Sequence, residues 1–305
     1  MRSKGYLSRN NVLSVVLAYH RQTMPELPEL TVVREVLERR VSGRRLTSAA
    51  LVQPGAAIVV RDLTGAGFET GLLGATAGAM RRRGKHLILE FATYGNPPLY
   101  LIINPKLTGR LQLAGPGEKR MAKTCFVLGL DDGAELRYVD QKLMGQAYLS
   151  PLPPERASIP DFAGLGPEPF DVTFEQFVAI LKPFRGEIKG VLTRGEAVAG
   201  IGNAYADEIL WAARIHPYRK RSALTAEEYR RLYDGMRATL AEATEKVRAE
   251  MGEKIHLKPR DFMNVHMRGG EACPRCGGPI AEISANQRIT NFCRQCQPGG
   301  LFKGM

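Results

Sequence analysis

Thr124-Cys125-Phe126-Val127-Leu128-Gly129-Leu130, then Asp131-Asp132-Gly133, then Glu135-Leu136-Arg137-Tyr138-Val139: two short apolar runs stand on either side of an acidic turn that ends in glycine. Glycine accepts the positive φ that a tight hairpin turn needs, so the stretch predicts two antiparallel strands. Runs of the same kind lie outward from it at Ala57 to Val60, His86 to Phe91, Leu99 to Ile103 and Gln146 to Leu149, separated by Gly and Asp turns. Many short strands at this spacing predict an antiparallel sandwich or barrel, not a parallel sheet with crossover helices. Ahead of them, Leu30, Val33, Leu37 and Val41 recur at three- and four-residue spacing, which predicts an amphipathic helix closed by Gly43.

Pro151-Leu152-Pro153-Pro154 ends the strand-rich region and reads as a linker. Beyond it the period becomes helical: Thr173 to Lys182, Ile188 to Arg194, Ala204 to Ala213, and a long helix from Thr225 to about Glu250. Thr225 with Glu228 three residues on is the pattern of an N-terminal capping box. The fold class is therefore α+β and multidomain: a β-sandwich with a flanking helix over 25–150, a linker over 151–160, a helical domain over 161–260 and a cysteine module over 261–305. Residues 1–24 read as an extension absent from the mature protein.

The chain has 305 residues, with 43 Lys and Arg against 31 Asp and Glu, a net charge of +12. That excess favours a polyanionic partner, nucleic acid before an acidic membrane surface, because fixed cations gain by releasing a polyanion's counterions. A hydrophobic fraction of 44% excludes a disordered chain. Val12 to Tyr19 is too short an apolar run to span a membrane. Arg2, Lys4 and Val16-Leu17-Ala18 outline a secretory signal, a reading ranked below a cytoplasmic one.

Cys273-x-x-Cys276, sixteen residues, and Cys293-x-x-Cys296 form the strongest local motif. Each pair can set two thiolates on one Zn²⁺, and the interval suits a hairpin that brings the pairs together. Four sulfur ligands close the coordination shell, so one zinc ion would fold the module and leave catalysis to other groups. Two disulfides or a redox pair is the alternative. Cys125, in a predicted strand, reads as core. Arg275, Arg288 and Arg294 make the module a basic finger or simply a solvated charged face.

Gly200-Ile201-Gly202-Asn203 lies between two predicted helices. As a dinucleotide fingerprint it lacks the third glycine and the preceding strand. As a glycine turn between helices it fits better, with Asn203 as N-cap and the next helix offering free N–H donors to a phosphate, or as a tight turn with no ligand at all. Met24-Pro25-Glu26-Leu27-Pro28-Glu29 has the form of a second start. If the chain began at Pro25, its secondary amine would have a pKa near 8, against about 10.4 for lysine, and would be the better nucleophile at neutral pH. Condensation of that amine with a sugar aldehyde carbon would give an iminium, an electron sink for elimination; Glu26 could then move a proton at the sugar ring, and Glu29 could orient the pair or cap the helix. The same residues would otherwise be a proline-rich lead-in to a helix.

Taken together, the opening Met24-Pro25-Glu26-Leu27-Pro28-Glu29, the Gly200-Ile201-Gly202-Asn203-Ala204-Tyr205 turn and the terminal Gln287-Arg288-Ile289-Thr290-Asn291-Phe292-Cys293-Arg294-Gln295-Cys296-Gln297 resemble the formamidopyrimidine-DNA glycosylase family from Pro25 to about Gly300. The resemblance implies a β-sandwich, a helix-two-turn-helix domain and a zinc finger that clamp damaged double-stranded DNA. It implies Pro25 as Schiff-base nucleophile, Glu26 as the acid for ring opening, and Lys85 in phosphate contact and β-elimination. It also implies Asn203 as a phosphate ligand and Arg288 in phosphate binding and δ-elimination, with Lys123 and Lys142 as further DNA contacts. Leu107, Lys142 and Met144 stand where the family has wedge residues that fill the space of a flipped nucleotide, Met in the first place and Arg and Phe in the others. Lysine cannot reproduce arginine's planar fork toward an unpaired base. Met251 to Gly270 is also short for the loop that covers oxidised guanine in the family.

The expected function is a bifunctional DNA glycosylase and abasic-site lyase acting on oxidised purines such as 8-oxoguanine and formamidopyrimidines, as a cytoplasmic monomer with one structural zinc. The related endonuclease VIII type, acting on oxidised pyrimidines, is the near alternative, and Leu27 argues against it. A non-catalytic DNA-binding protein is the third, favoured if residues 1–23 are retained, because a peptide bond to Met24 turns the nitrogen of Pro25 into an amide.

Overall fold

The computed structural model describes residues 24–285 and 288–299. The reading of residues 1–24 as an extension therefore lies outside the described residues at all but Met24. Helix α1 (Leu27–Arg40) leads into β1 (Leu46–Leu51), α2 (Gly55–Val59), β2 (Val60–Asp62) and α3 (Phe68–Leu72). Strands β3 (Thr76–Arg83), β4 (His86–Thr93), β5 (Asn96–Asn104), β6 (Gly109–Ala114), β7 (Thr124–Leu130), β8 (Glu135–Asp140) and β9 (Gln146–Ser150) complete the first half. One sheet runs β1-β7-β8-β6 and the other β2-β9-β5-β4-β3. The hairpin read first is real: β7 and β8 pair antiparallel, Leu128 facing Leu136. Leu89, Phe91, Leu101 and Leu149 from one sheet and Phe126, Leu128, Leu136 and Tyr138 from the other share a single core with α1.

Three details depart from the expected sandwich. Ala57 to Val60 forms mostly helix α2, because Ala56 and Val59 face the core at helical spacing, and a four-residue apolar run carries no period of its own. The short β2 that follows pairs parallel with β9, an exception to the antiparallel pattern. Strands β1, β3 and β6 were not among the predicted runs. Small and polar residues dilute their alternation, and in β3 the register also shifts between Ala77 and Met80.

The second half is α4 (Phe174–Leu181), α5 (Ile188–Leu192), α6 (Asn203–Ala213) and α7 (Ala226–Met251). Thr225 caps α7 as its spacing predicts, accepting from the backbone N–H of Glu228 at 3.2 Å. The two halves exchange residues across their junction. Leu27 of α1 packs in the helical core, while Val247 and Met251 from the far end of α7 and Ile255 just beyond it pack in the sandwich core. The connecting segment is itself packed, with Ile159 and Phe162 buried on Ile88 and Ile102. β10 (Ile280–Ala285) and β11 (Arg288–Cys293) form the hairpin of the cysteine module.

His86, 2% exposed, sits at the start of β4 against Asn104 and the edge of Phe162. Burial, aided by the Lys106 charge, lowers its pKa from 6.5 to about 4. The unfolded chain therefore binds a proton between these values that the folded chain refuses, so stability falls as pH drops through this window. Between pH 6.5 and 5 the loss attributable to His86 is about 2 kcal/mol. Urea unfolding at both pH values should show it, and His86→Gln should flatten that part of the decline.

Candidate active site and DNA-binding cleft

The turn before α1 meets the turn before α6. Glu26 is the N-cap of α1, and its carboxylate accepts from the backbone N–H groups of Gly202 at 2.5 Å, Ala204 at 3.0 Å and Tyr205 at 3.4 Å. One acidic side chain thus occupies the electropositive N-terminus of α6. Glu29 returns to accept from the Glu26 N–H at 2.9 Å and from the Tyr205 hydroxyl at 3.0 Å. Gly200 has φ +86, and Gly202 has no room for a side chain: a Cβ there would lie 2.5 Å from Glu26 Cδ and 2.7 Å from Lys85 Nζ. Gly200 makes room for Leu27 of α1, and Gly202 admits a carboxylate and an ammonium from other elements to the helix start, so the glycine turn is not a bare connector.

Lys85 lies in the β3–β4 turn. Burial holds its pKa below the usual lysine range, with Glu26 opposing that shift and Arg260 and Arg288 adding to it. The adjacent Arg82 and Arg83 do not face the site; both pair with Glu168, at 2.7 and 3.2 Å, and fasten the turn to the helical half. Glu168 also accepts from the Gly84 N–H at 2.7 Å.

Asn203 differs from its expected place. Gly202 is the N-cap of α6 and Asn203 the first helical residue, because the Glu26 carboxylate already satisfies the helix's leading N–H groups. The Asn203 amide instead donates to the Ile289 carbonyl of β11 at 2.7 Å, and its Oδ1 has no hydrogen-bond partner among the described residues. Lys189 of α5, 7% exposed, pairs with Asp207 of α6 at 2.6 Å and donates to Thr290 at 2.9 Å and Ile289 at 3.0 Å. The finger is therefore pinned to α6, with Arg288 exposed at its start.

Pro25 is buried at the edge of a cavity of about 20 Å³ that it shares with Glu29, Pro105, Arg110 and Lys258. Arg260 donates to Glu29 at 2.9 Å and to the Met24 carbonyl at 2.8 Å. Lys258 donates to the Leu107 carbonyl at 3.2 Å. Burial first, then Arg110 and Arg260, push its pKa down to about 7. Sequence reading missed Arg260, Lys258, Lys189 and Glu168. Arg260 and Lys258 fall in the aperiodic stretch after α7, where no spacing singles out a residue.

Leu107 and the Lys142–Met144 turn are brought side by side by Asp140, which is fully buried. Its carboxylate accepts from the Thr108 hydroxyl, from the Lys142 N–H at 3.3 Å and from the Gly145 N–H at 2.6 Å. Met144 is 52% exposed, Lys142 is exposed and Leu107 half-buried, so the three project from one braced pair of loops. Lys123, also exposed, lies next to them, its carbonyl accepting from the Asp140 N–H at 3.0 Å.

In the finger, the Sγ atoms of Cys273, Cys276, Cys293 and Cys296 all lie within 4.8 Å of one another. Cys273 to Cys296 is 3.9 Å and Cys276 to Cys293 is 3.4 Å. A tetrahedron with 2.3 Å zinc–sulfur bonds has edges of about 3.8 Å, whereas a disulfide needs about 2.05 Å. The four thiols fit one zinc ion. Arg275 is drawn away from any ligand: its guanidinium lies 3.9 Å from the Trp211 ring and donates to the Trp211 carbonyl at 2.9 Å.

A sandwich that carries a lysine turn, a helical half whose glycine turn receives a carboxylate, and a four-cysteine finger reaching back to that turn together make a three-part clamp of the helix-two-turn-helix type. Family models agree in order: the formamidopyrimidine-DNA glycosylase N-terminal domain over 24–147, its helix-two-turn-helix domain over 165–253, and the zinc finger shared with isoleucyl-tRNA synthetase over 270–299. The formamidopyrimidine-DNA glycosylase of Symbiobacterium thermophilum is 38% identical, covering 90% of each chain, and that of Bacillus cereus is 33% identical over 90% of this chain and 99% of its own. A crystal structure of a Lactococcus lactis mutant enzyme bound to DNA containing Fapy-dG superposes with a TM-score of 0.76 at 29% identity, over 90% of this chain and all of that one. The chain belongs to the formamidopyrimidine-DNA glycosylase family.

Proposed function

We propose that this protein is a DNA glycosylase and abasic-site lyase that removes oxidised purines from double-stranded DNA, and that its active form begins at Pro25. The observation that carries the reading is the convergence of Glu26, the residue after Pro25, and Lys85 on Gly202, at the helix start beside the finger. The matched stretch of the family begins at residue 24, in agreement with a start there. The relatives' structures hold DNA with Fapy-dG, an abasic site or a carbocyclic 8-oxoguanine.

In this mechanism the damaged nucleotide leaves the stack, at a cost of a few kcal/mol. Leu107 and Met144 fill the space it vacates, and Lys142 faces the orphaned base. The neutral amine of Pro25 attacks C1′ of the sugar while the bond from C1′ to the base breaks. Glu26 takes the proton that the Pro25 nitrogen sheds and passes it to the ring oxygen, and the nitrogen lone pair then opens the sugar to an iminium. Loss of a C2′ proton then expels the 3′ phosphate, and a second elimination expels the 5′ phosphate. Lys85, Asn203 and Arg288 hold the phosphates, Asn203 through the amide N–H that Ile289 does not take. Zinc, held by the four cysteines, folds the finger and takes no part in these steps. The protein acts as a monomer at the nucleoid.

An oxidised-pyrimidine substrate is the second reading. The short segment between α7 and the finger favours it, because Arg260 there is committed to Glu29 and Met24 and adds no broad cover over a base. Base release from duplexes carrying 8-oxoguanine, a formamidopyrimidine or an oxidised pyrimidine decides between them. Purine lesions should be released at least about tenfold faster, a difference in transition-state binding of about 1.4 kcal/mol. Faster release of the pyrimidine would transfer the assignment.

A further inference from the structure

Arg260 comes from the segment after α7, yet its hydrogen-bond acceptors belong to the turn around Pro25. Nε donates to Glu29 Oε1 at 2.9 Å, and Nη2 donates to the Met24 carbonyl oxygen at 2.8 Å and lies 3.9 Å from Glu26 Oε1. The third nitrogen, Nη1, is buried with no hydrogen-bond partner among the described residues. A carbonyl oxygen and the nitrogen of the next residue are joined through two short bonds. Standard bond lengths and the 2.8 Å contact therefore place the guanidinium within about 5 Å of the Pro25 nitrogen.

We infer that Arg260 is the electrostatic positioning residue for the Pro25 nucleophile, holding its amine neutral. The inference rests on the proposed start at Pro25. In that chain the Met24 carbonyl is gone, Arg260 keeps its grip on Glu29, and the edge that held the carbonyl faces the free amine. An ammonium ion cannot attack a sugar carbon, and a cation about 5 Å away disfavours the ammonium form without penalising the neutral one. Glu29 acts in the opposite sense, and direct pairing with Arg260 offsets it. Removing Arg260 therefore deletes a cation and unmasks a carboxylate, and both changes raise the pH at which the amine becomes nucleophilic.

The other charges come from every element packed around the site: Glu29 of α1, Arg110 of β6 and Lys258 after α7 share the Pro25 cavity, and beyond Glu26 stand Lys85 of the β3–β4 turn and Arg288 of β11, which acts on Lys85. Tyr205 of α6 adds none, since burial pushes its hydroxyl well above its ordinary pKa. Arg260 is the cation among these that touches both Glu29 and the residue preceding Pro25.

The test is the pH profile of borohydride trapping on an abasic-site duplex, using the chain that begins at Pro25 with Arg260, Arg260→Lys or Arg260→Gln. Arg260→Gln should raise the midpoint by about one pH unit, so trapping falls about tenfold near neutrality and returns to within about twofold of the parent above about pH 9. Arg260→Lys should keep the parent midpoint. A Gln variant that loses the same factor at every pH, its midpoint unmoved, would overturn the inference in favour of a structural role. Should Arg260→Gln fail to fold, ¹⁵N titration of Pro25 in the parent chain decides: a midpoint below the ordinary α-amine value of about 8 supports the inference, and one at or above it overturns it. Absence of any adduct from the parent chain at every pH would instead overturn the nucleophile reading, and this inference with it.

Discussion

A chain that begins at Pro25 is expected to form a covalent borohydride-trapped adduct with an abasic-site duplex, and the chain carrying residues 1–24 is expected to form at least roughly a thousandfold less, the order of loss seen when a catalytic nucleophile is removed. The reason is a single bond. An amide nitrogen has its lone pair delocalised into the carbonyl, so Pro25 joined to Met24 has nothing to donate to a sugar carbon. The effect is confined to chemistry, because the partners of Glu26 and Asn203 lie on α6 and β11 and owe nothing to residues 1–24. Duplex affinity should therefore be nearly equal for the two chains. Equal affinity with no adduct from either would leave a DNA-binding protein without lyase activity; adduct from the long chain at the short chain's rate would move the nucleophile elsewhere, with Lys85 the first alternative.

What could be read in the sequence is what chemistry or period fixes locally. The Cys-x-x-Cys pairs specify their own turns. The 124–139 hairpin carries an acidic turn ending in glycine, and Thr225 with Glu228 sets its own helix start. These depend on residues a few positions apart, and all of them stand in the structure. The glycine turn was legible as a turn, but its purpose was not. Gly202 is bare because Glu26, 176 positions away, lies against it. Arg260 with Glu29, Lys189 with Asp207 and the Arg82–Arg83 pair with Glu168 are of the same kind. Each is a buried or half-buried ion pair between distant segments, and a lone charged residue carries no periodic mark of its partner. Asn203 shows the complementary error: Asn is a favoured N-cap, but here a carboxylate from another helix takes the capping role and frees the amide to hold β11.

Removing zinc is expected to act on the other half of the problem, weakening duplex binding where loss of the free amine leaves it intact. The β10–β11 hairpin has few apolar contacts of its own: Val265, Cys273, Ile280 and Cys293 are the buried members of its cluster, two of them metal ligands. Without the ion, four thiols within 4.8 Å have nothing to hold them together, and binding free energy in modules of this size is folding free energy. Unfolding of the hairpin strips Lys189 of Thr290 and Ile289, and Asn203 of Ile289, and releases Arg288 from the cleft. Chelation after mild thiol modification, or Cys276→Ser, should lower affinity for an abasic-site duplex by about a hundredfold or more, a loss of about 2.7 kcal/mol. Metal analysis of the untreated protein should return one zinc per chain. Because the sandwich and helical cores are built without the finger, the α-helical circular dichroism should survive the treatment. A stripped protein that still binds the duplex at full affinity would place the DNA contacts on α6 and the β3–β4 turn alone, and would remove Arg288 from the site.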